Sequence, residues 1–437
     1  MMHAFRRILL AGTIAAIGTI ATACDGSSSP SSKGSQEQRE ESKVRKDLHA
    51  EKAHELGGAS GGSDGSGADD GKGDHKHKDH DKKKDDDRKG DDRKDDKKSG
   101  DGSSGAAGSD SKRAHGHEPG PNDIVFYVSM HGDQGGNTLI GLNAKGEVKG
   151  SVLRGAPPGD AGESLRDLRG MCLLGDGSIL VVNAWMKDTR IVQFGKPGAD
   201  GVRDFERVFI KGGTGNQGLV HTYSVVVGPG GNIYCSNQDT NTVTRYAGPG
   251  AQSPGEPLPA PPSLKSFGSL APGTFVPNSQ TSPQGISEVR GIAFGPDGLL
   301  YVADRTGSRV SAYDPQSGDR KAIVASEKDG LKHPIQLAFT PDGKFLFIGD
   351  NGANCVWRKD LDSGAITQFV KPGTGGLDAP SAIVVSDAHL FVGSRKTKSI
   401  LRFKMPEGTL DPHPFVEKLP DNPEFMLKVG GTSGFGT

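Results

Sequence analysis

One short unit recurs along the C-terminal three quarters of this chain, and it leaves few folds open. Residues 289–304 read VRGIAFGPDGLLYVAD: two apolar, β-rich runs joined by Gly295-Pro296-Asp297-Gly298. Proline presets φ at the first corner, aspartate bonds back to the backbone and glycine supplies a positive φ, so the stretch reads as a β-hairpin. A single hairpin buries too little to stand alone. Siblings occur at 170–183 (GMCLLGDGSILVVN), 224–237 (SVVVGPGGNIYCSN), 335–350 (IQLAFTPDGKFLFIGD) and 381–394 (SAIVVSDAHLFVGS), and 124–129 (IVFYVS) matches the second half only. The units end at Ser129, Asn183, Asn237, Asp304, Asp350 and Ser394.

A third apolar run follows each hairpin, at 138–142, 190–194, 243–246, 309–313, 355–358 and 399–403. A fourth follows most of them, at 205–210, 321–325, 366–370 and 414–417. Four strands per unit, repeated roughly every fifty residues, is the signature of propeller blades. The reading is an all-β, six-bladed β-propeller over residues 122–437. The first unit lacks its innermost strand, and the apolar run 424–429 (EFMLKV) is expected to supply it from the far end of the chain. The Pro-rich stretch 247–283 is expected to be an elaborated surface loop.

The N-terminal part is of another kind. Arg6 and Arg7 precede an apolar run at 8–20, and Ala21-Thr22-Ala23 stands before Cys24. The run is shorter than the ~20 residues of a comfortable membrane span, and the pattern is that of a signal peptide over 1–23. A small residue, a cysteine and then a serine-rich run resembles the lipobox of bacterial lipoproteins, with Ala21 where leucine is usual. The resemblance implies an exported protein held to a membrane by lipid on Cys24; plain secretion is the alternative. Residues 24–121 are dominated by Gly, Ser, Lys and Asp and lack aromatics, which is the composition of a disordered tether. Its His75, His77, His80, His115 and His117 lie among carboxylates without the spacing of a closed zinc site.

Cys172, Cys235 and Cys355 lie in apolar strand contexts and read as small core residues. With a formal net charge of −1 and no basic stripe interleaved with aromatics, nucleic acid is not an expected partner.

The run GIAF, the PDG turn, the run LYVAD and the arginine after it resemble NHL-repeat propellers, a unit shared with the gluconolactonase/senescence-marker-like and streptogramin-lyase-like propellers. What the resemblance implies is a site on the face around the central channel. That face would present Asn183, Asn237, Asp304 and Asp350 with Ser129 and Ser394, where the second strands end. Arg169, Tyr223, Arg290, Ile335 and Ser381 would stand where the first strands begin. Nearby loops would add His131, Trp185, His221, Arg305, His333 and Arg395. Asp or Asn at a strand end also builds turns, and paired arginines suit a carboxylate or phosphate.

Gluconolactonase-like enzymes hold a divalent cation in the channel with Glu, Asn and Asp, the Asn standing before the glycine of the first strand. Here that place holds Arg169, Tyr223, Arg290, Ile335 and Ser381. Only Asp304 and Asp350 remain as possible ligands for Ca or Mg. The expectation is therefore a binding protein with no cofactor, whose partner is a small anionic ligand, a glycan or a protein. A metal-dependent lactonase or a streptogramin-lyase-like enzyme is the alternative.

Overall fold

The computed structural model describes residues 123–132, 137–157, 165–185 and 189–430. The signal segment 1–23, Cys24 and the tether 24–121 lie outside the described residues.

Each hairpin of the repeat is the inner half of an antiparallel sheet, and six such sheets are present. Blade 2 runs outward through Leu168–Leu173, Ile179–Asn183, Arg190–Pro197 and Arg203–Lys211, with Leu153–Arg154 added in parallel at its edge. Blade 3 uses Thr222–Val227, Ile233–Asn237, Thr242–Tyr246 and Thr274–Val276. Blade 4 uses Val289–Phe294, Leu300–Asp304, Arg309–Tyr313 and Arg320–Ala325. Blade 5 uses Pro334–Phe339, Phe345–Asp350, Cys355–Asp360 and Ile366–Val370. Blade 6 uses Pro380–Val385, His389–Ser394, Ser399–Lys404 and Thr409–Leu410.

Blade 1 is assembled from both ends of the domain. Its outer strands are Ile124–Met130, Leu139–Asn143 and Val148–Ser151, and its inner strand is Pro423–Lys428. The closing pair runs Phe126↔Lys428 through Ser129↔Phe425, as the unassigned apolar run led one to expect. Consecutive inner strands touch all the way round, from blade 1 to blade 6 and back, which makes the ring closed.

Two expectations need correction. Residues 414–417 are not the fourth strand of blade 6; Thr409–Leu410 is, and Val416 makes only an isolated bridge with Ile400. Pro412 and Pro414 remove the donors that a ladder there would need. The Pro-rich stretch is more than a surface loop, because it carries the outermost strand of blade 3, with Phe275 fully buried.

The core lies between blades rather than within one. Alternation sends one face of each sheet to each neighbour. Between blades 2 and 3, Leu180, Val182, Ile191, Phe209, Val225, Ile233 and Tyr246 form one such layer, with Cys235 in it and Cys172 packed against it. Cys355 sits in the layer between blades 4 and 5. Burial pushes the Cys172 and Cys355 thiols up to about 12, so they behave as small apolar groups.

Close approach at the axis explains two glycines. A Cβ on Gly170 would lie 2.7 Å from Ser224 Cα, and one on Gly291 would lie 2.7 Å from the Ile335 carbonyl oxygen. Both are backbone atoms of the next inner strand.

Candidate functional site

The first residue of each inner strand pairs with the last residue of its neighbour: Leu168↔Asn183, Thr222↔Asn237, Val289↔Asp304, Pro334↔Asp350 and Pro380↔Ser394. Directly after that pair the register slips in every blade, and in blade 1 it slips between Ser129 and Met130. The slip is a β-bulge, which leaves a residue without a partner and re-aims its side chain. The bulged second residues are Glu424, Arg169, Tyr223, Arg290, Ile335 and Ser381, in blades 1 to 6. They form a ring at one level of the channel. The repeat had placed five of them there; Glu424 had been missed. Aligning EFMLKV with its sibling RGMCLL would have put Glu424 in the place of Arg169.

The ring residues contact one another across blades. The Tyr223 ring, 2% exposed, packs on Phe425 of blade 1 with centroids 4.8 Å apart. The guanidinium carbons of Arg169 and Arg290 lie 5.8 and 5.7 Å from the same ring centre, within cation–π range. The Ser381 hydroxyl donates to the Pro423 carbonyl at 2.5 Å, joining blade 6 to blade 1. Ile335 is the apolar member and is buried.

Four arginines at this mouth face carboxylates. Arg169 Nη2 lies 3.1 Å from Asp167 Oδ2. Arg290 pairs with Glu288, and Arg305 Nη1 lies 3.1 Å from both oxygens of that same carboxylate. Arg395 Nε lies 3.6 Å from Glu424 Oε2. None of these partners is a strand-end aspartate.

Burial alone would lift the Asp167 carboxyl, but the hydrogen bond from His131 and the Arg169 charge more than reverse this, and its pKa falls well below the usual range. Glu424 behaves alike: burial opposes its charge, Arg395 and Arg169 outweigh burial, and its pKa is lowered. Among the described residues its Oε2 accepts no hydrogen bond. At Arg290 burial wins instead: it outweighs the help from Glu288, and the pKa is lowered. Burial and the Glu424 charge raise Tyr223, which stays a neutral phenol.

Two histidines complete the cluster. His131 Nδ1 lies 2.9 Å from Asp167 Oδ1, and His221 Nδ1 lies 2.8 Å from Asp239 Oδ1. A carboxylate only accepts, so each Nδ1 donates. His221 Nε2 accepts from Gln238 Nε2 at 3.2 Å. Asp167 and His221 each stand just before an inner strand with φ of 52° and 46°. Non-glycine residues in this region are held there by their surroundings, often at functional sites.

The strand-end residues have a different fate. Asp350 is fully buried, and four donors saturate its carboxylate: the His333 and Ala353 amides at 2.8 and 2.9 Å on Oδ1, and the Lys332 amide and Trp357 indole at 2.8 and 3.2 Å on Oδ2. Asp304 Oδ1 accepts from the amides of Ser287, Glu288 and Gly307, and Oδ2 faces Arg309 at 2.8 Å. Asn183 accepts from the Arg166 amide at 2.6 Å, and Asn237 from the Val220 amide and the Thr222 hydroxyl. Ser394 accepts from the Asp378 amide, and Ser129 from the Phe425 amide. All six tie the loop or strand that arrives at the axis. Of the two residues named as ligands for Ca or Mg, Asp350 spends both oxygens on these donors, whereas Asp304 spends Oδ1 on three amides and turns a buried Oδ2 toward the Arg309 charge. Among the described residues no three His, Cys, Asp or Glu side chains are grouped to hold a metal. Of the loop residues, His333 packs its ring over Gly352, and Trp185 receives the Arg166 guanidinium at 5.1 Å.

No family model and no curated protein matches the chain. Solved structures do. A chain of the nidogen/laminin complex is 14% identical, covers 69% of this chain and 97% of its own, and has a TM-score of 0.49. A 6-phosphogluconolactonase-like protein from Bacteroides fragilis is 14% identical, with 71% and 99% covered and a TM-score of 0.46. Virginiamycin B lyase from Staphylococcus aureus is 16% identical, with 67% and 85% covered and a TM-score of 0.42. The likeness is one of fold.

Proposed function

We propose that the propeller binds a polar ligand at its channel mouth, with Arg169, Tyr223, Arg290 and Glu424 as the recognising groups. The observation that carries this reading is the set of six bulges, each aiming one side chain at the same level of the channel. A buried carboxylate such as Glu424 costs several kcal/mol to desolvate, and a fold that needed only stability is served better by an apolar residue there. Since the ring arginines already face carboxylates, the ring favours a ligand with many donors and acceptors, a glycan or a polar peptide segment, over a simple anion.

A thermal-shift screen of neutral oligosaccharides, sugar acids and short peptides tests this. A compound that raises the unfolding temperature of the wild type should lose its effect in the Arg290→Gln/Glu424→Gln double variant. Equal responses in both proteins contradict the reading. Export and lipid attachment at Cys24 belong to the same proposal, with the tether reaching ~50–60 Å from the membrane. Cys24→Ser should move the protein from the membrane fraction to the soluble fraction.

One observation favours a second reading. The His131–Asp167 pair at 2.9 Å, with the His131 side chain 35% exposed, has the form of an oriented general base. Hydrolysis of lactones or aryl esters that vanishes in His131→Ala would establish it, and absence of turnover across such a panel would remove it.

A further inference from the structure

A cavity of about 630 Å³ opens between blades 3 and 4 at the mouth opposite the ring. Its walls are the turns around 229–232 and 297–299, which join the first two strands of those blades, and the turn at 314–316. The volume lies within the ~300–1,000 Å³ of small-molecule sites. Tyr234 and Arg245, cross-strand partners in blade 3, both line it. The Tyr234 ring is 1% exposed and packs edge-on against Phe275 and Phe294, with centroids 5.1 Å away. The same place holds Phe347 beside Arg358 in blade 5 and Phe391 beside Arg402 in blade 6, so packing alone does not call for a hydroxyl. The phenols of Tyr246, Tyr301 and Tyr313 are spent, on Asn216, Asp297 and the Gln284 carbonyl at 3.3, 3.0 and 2.8 Å. Among the described residues no protein oxygen takes the Tyr234 proton. Burial raises its pKa, so it is a neutral donor on the cavity wall.

The Pro-rich insertion holds Arg245 in place. Its Nη2 donates to the Pro259 carbonyl at 3.1 Å and its Nη1 to the Pro315 carbonyl at 3.0 Å, while the guanidinium carbon lies 5.2 Å from the Phe275 ring centre. Both partners are carbonyls, so no carboxylate cancels the charge, and Nε is buried without a hydrogen bond. Asp297 and Asp314 bring carboxylates to the same cavity. Asn232 and Gln316 add side-chain amides with no protein partner among the described residues. A simple anion meets two carboxylates here, and a simple cation meets the guanidinium. Hydroxyl groups, which both give and take hydrogen bonds, suit every member of the set. We propose that this cavity binds an uncharged saccharide, with Tyr234 donating to a sugar oxygen and Asn232, Asp297 and Gln316 bonding its hydroxyls. The site lies at the other mouth of the channel and does not depend on the ligand proposed for the ring.

Saturation-transfer NMR of the full-length chain with maltose, cellobiose, trehalose and N,N′-diacetylchitobiose tests this, with glucuronate and glucosamine as charged comparisons. At least one disaccharide should bind the wild type, and more tightly than either charged sugar. Tyr234→Phe keeps the ring packing, as Phe347 and Phe391 do in their blades, and should weaken that binding about 3- to 10-fold. Asn232→Ala, at a half-buried side chain, should weaken it by a similar factor and decides the matter if Tyr234→Phe fails to fold. A saccharide that binds Tyr234→Phe as it binds the wild type is held elsewhere and overturns the proposal. So does tighter binding of either charged sugar, or no binding by any of the disaccharides.

Discussion

The two ends of each hairpin lie side by side at the same mouth of the channel, yet they do different work. At the end of the second strand, Asp350 and Asp304 bind backbone amides of their own blade. One residue away, at the start of the inner strand, Arg169 touches side chains from blades 1 and 3, and Tyr223 reaches blade 1. The difference is the bulge. A residue in register is committed to its own sheet, whereas a bulged residue is turned toward its neighbours. Residue type does not distinguish the roles, since charged groups stand at both ends.

The sharpest test of how the ring is assembled concerns blade 1, whose ring residue arrives from the far end of the chain. Truncation after Asn422 removes the strand carrying Glu424 and uncovers the apolar faces of two blades, against which Phe425 and Met426 pack. Loss of those two side chains alone is worth ~3–6 kcal/mol, and the exposed edges add to it. Loss of the cooperative transition in circular dichroism is expected, and unaltered melting would break the closure model.

A smaller effect separates the clamps from the ring. Asp350→Ala strands three amides and an indole N–H in a buried loop, at about 1–3 kcal/mol for each donor that water cannot reach. A loss of ~3–5 kcal/mol in urea denaturation should follow, with the channel unaltered.

Acid affects the ring more gently. Asp167 and Glu424 have folded-state pKa values below their unfolded ones. Their contribution is thus complete above the ordinary carboxylate range near ~4 and is lost as pH falls through it toward the lower folded values. Asp167→Asn keeps a residue that tolerates the positive φ and should flatten this acid limb of the unfolding midpoint. An unchanged limb would mean that the Asp167 pairs with His131 and Arg169 add nothing to folding.

How much of this was legible depended on distance along the chain. Hairpins, blade count and the closing strand follow from local alternation and turn chemistry, which operate within a dozen residues. Thr409–Leu410 was missed because two residues carry no periodicity, and Thr274–Val276 was hidden by the prolines around it. Of the site, Arg169, Tyr223 and Arg290 were placed by repeat alignment. Their partners were not, because Asp167 and Glu288 precede the strands in irregular segments whose direction is set by the bulge and by positive φ at Asp167. Nothing in the order of residues brings His131 to Arg169; that takes the closing of the ring.

Inner-end residues couple blades, and outer-end residues do not. Double-mutant cycles measured by urea unfolding test it directly. Arg169→Gln with His221→Ala, in blades 2 and 3, should show a coupling of about 1 kcal/mol. Asp304→Asn with Asp350→Asn, in blades 4 and 5, should be additive within ~0.5 kcal/mol. Additivity in the first pair, or coupling in the second, would contradict the account.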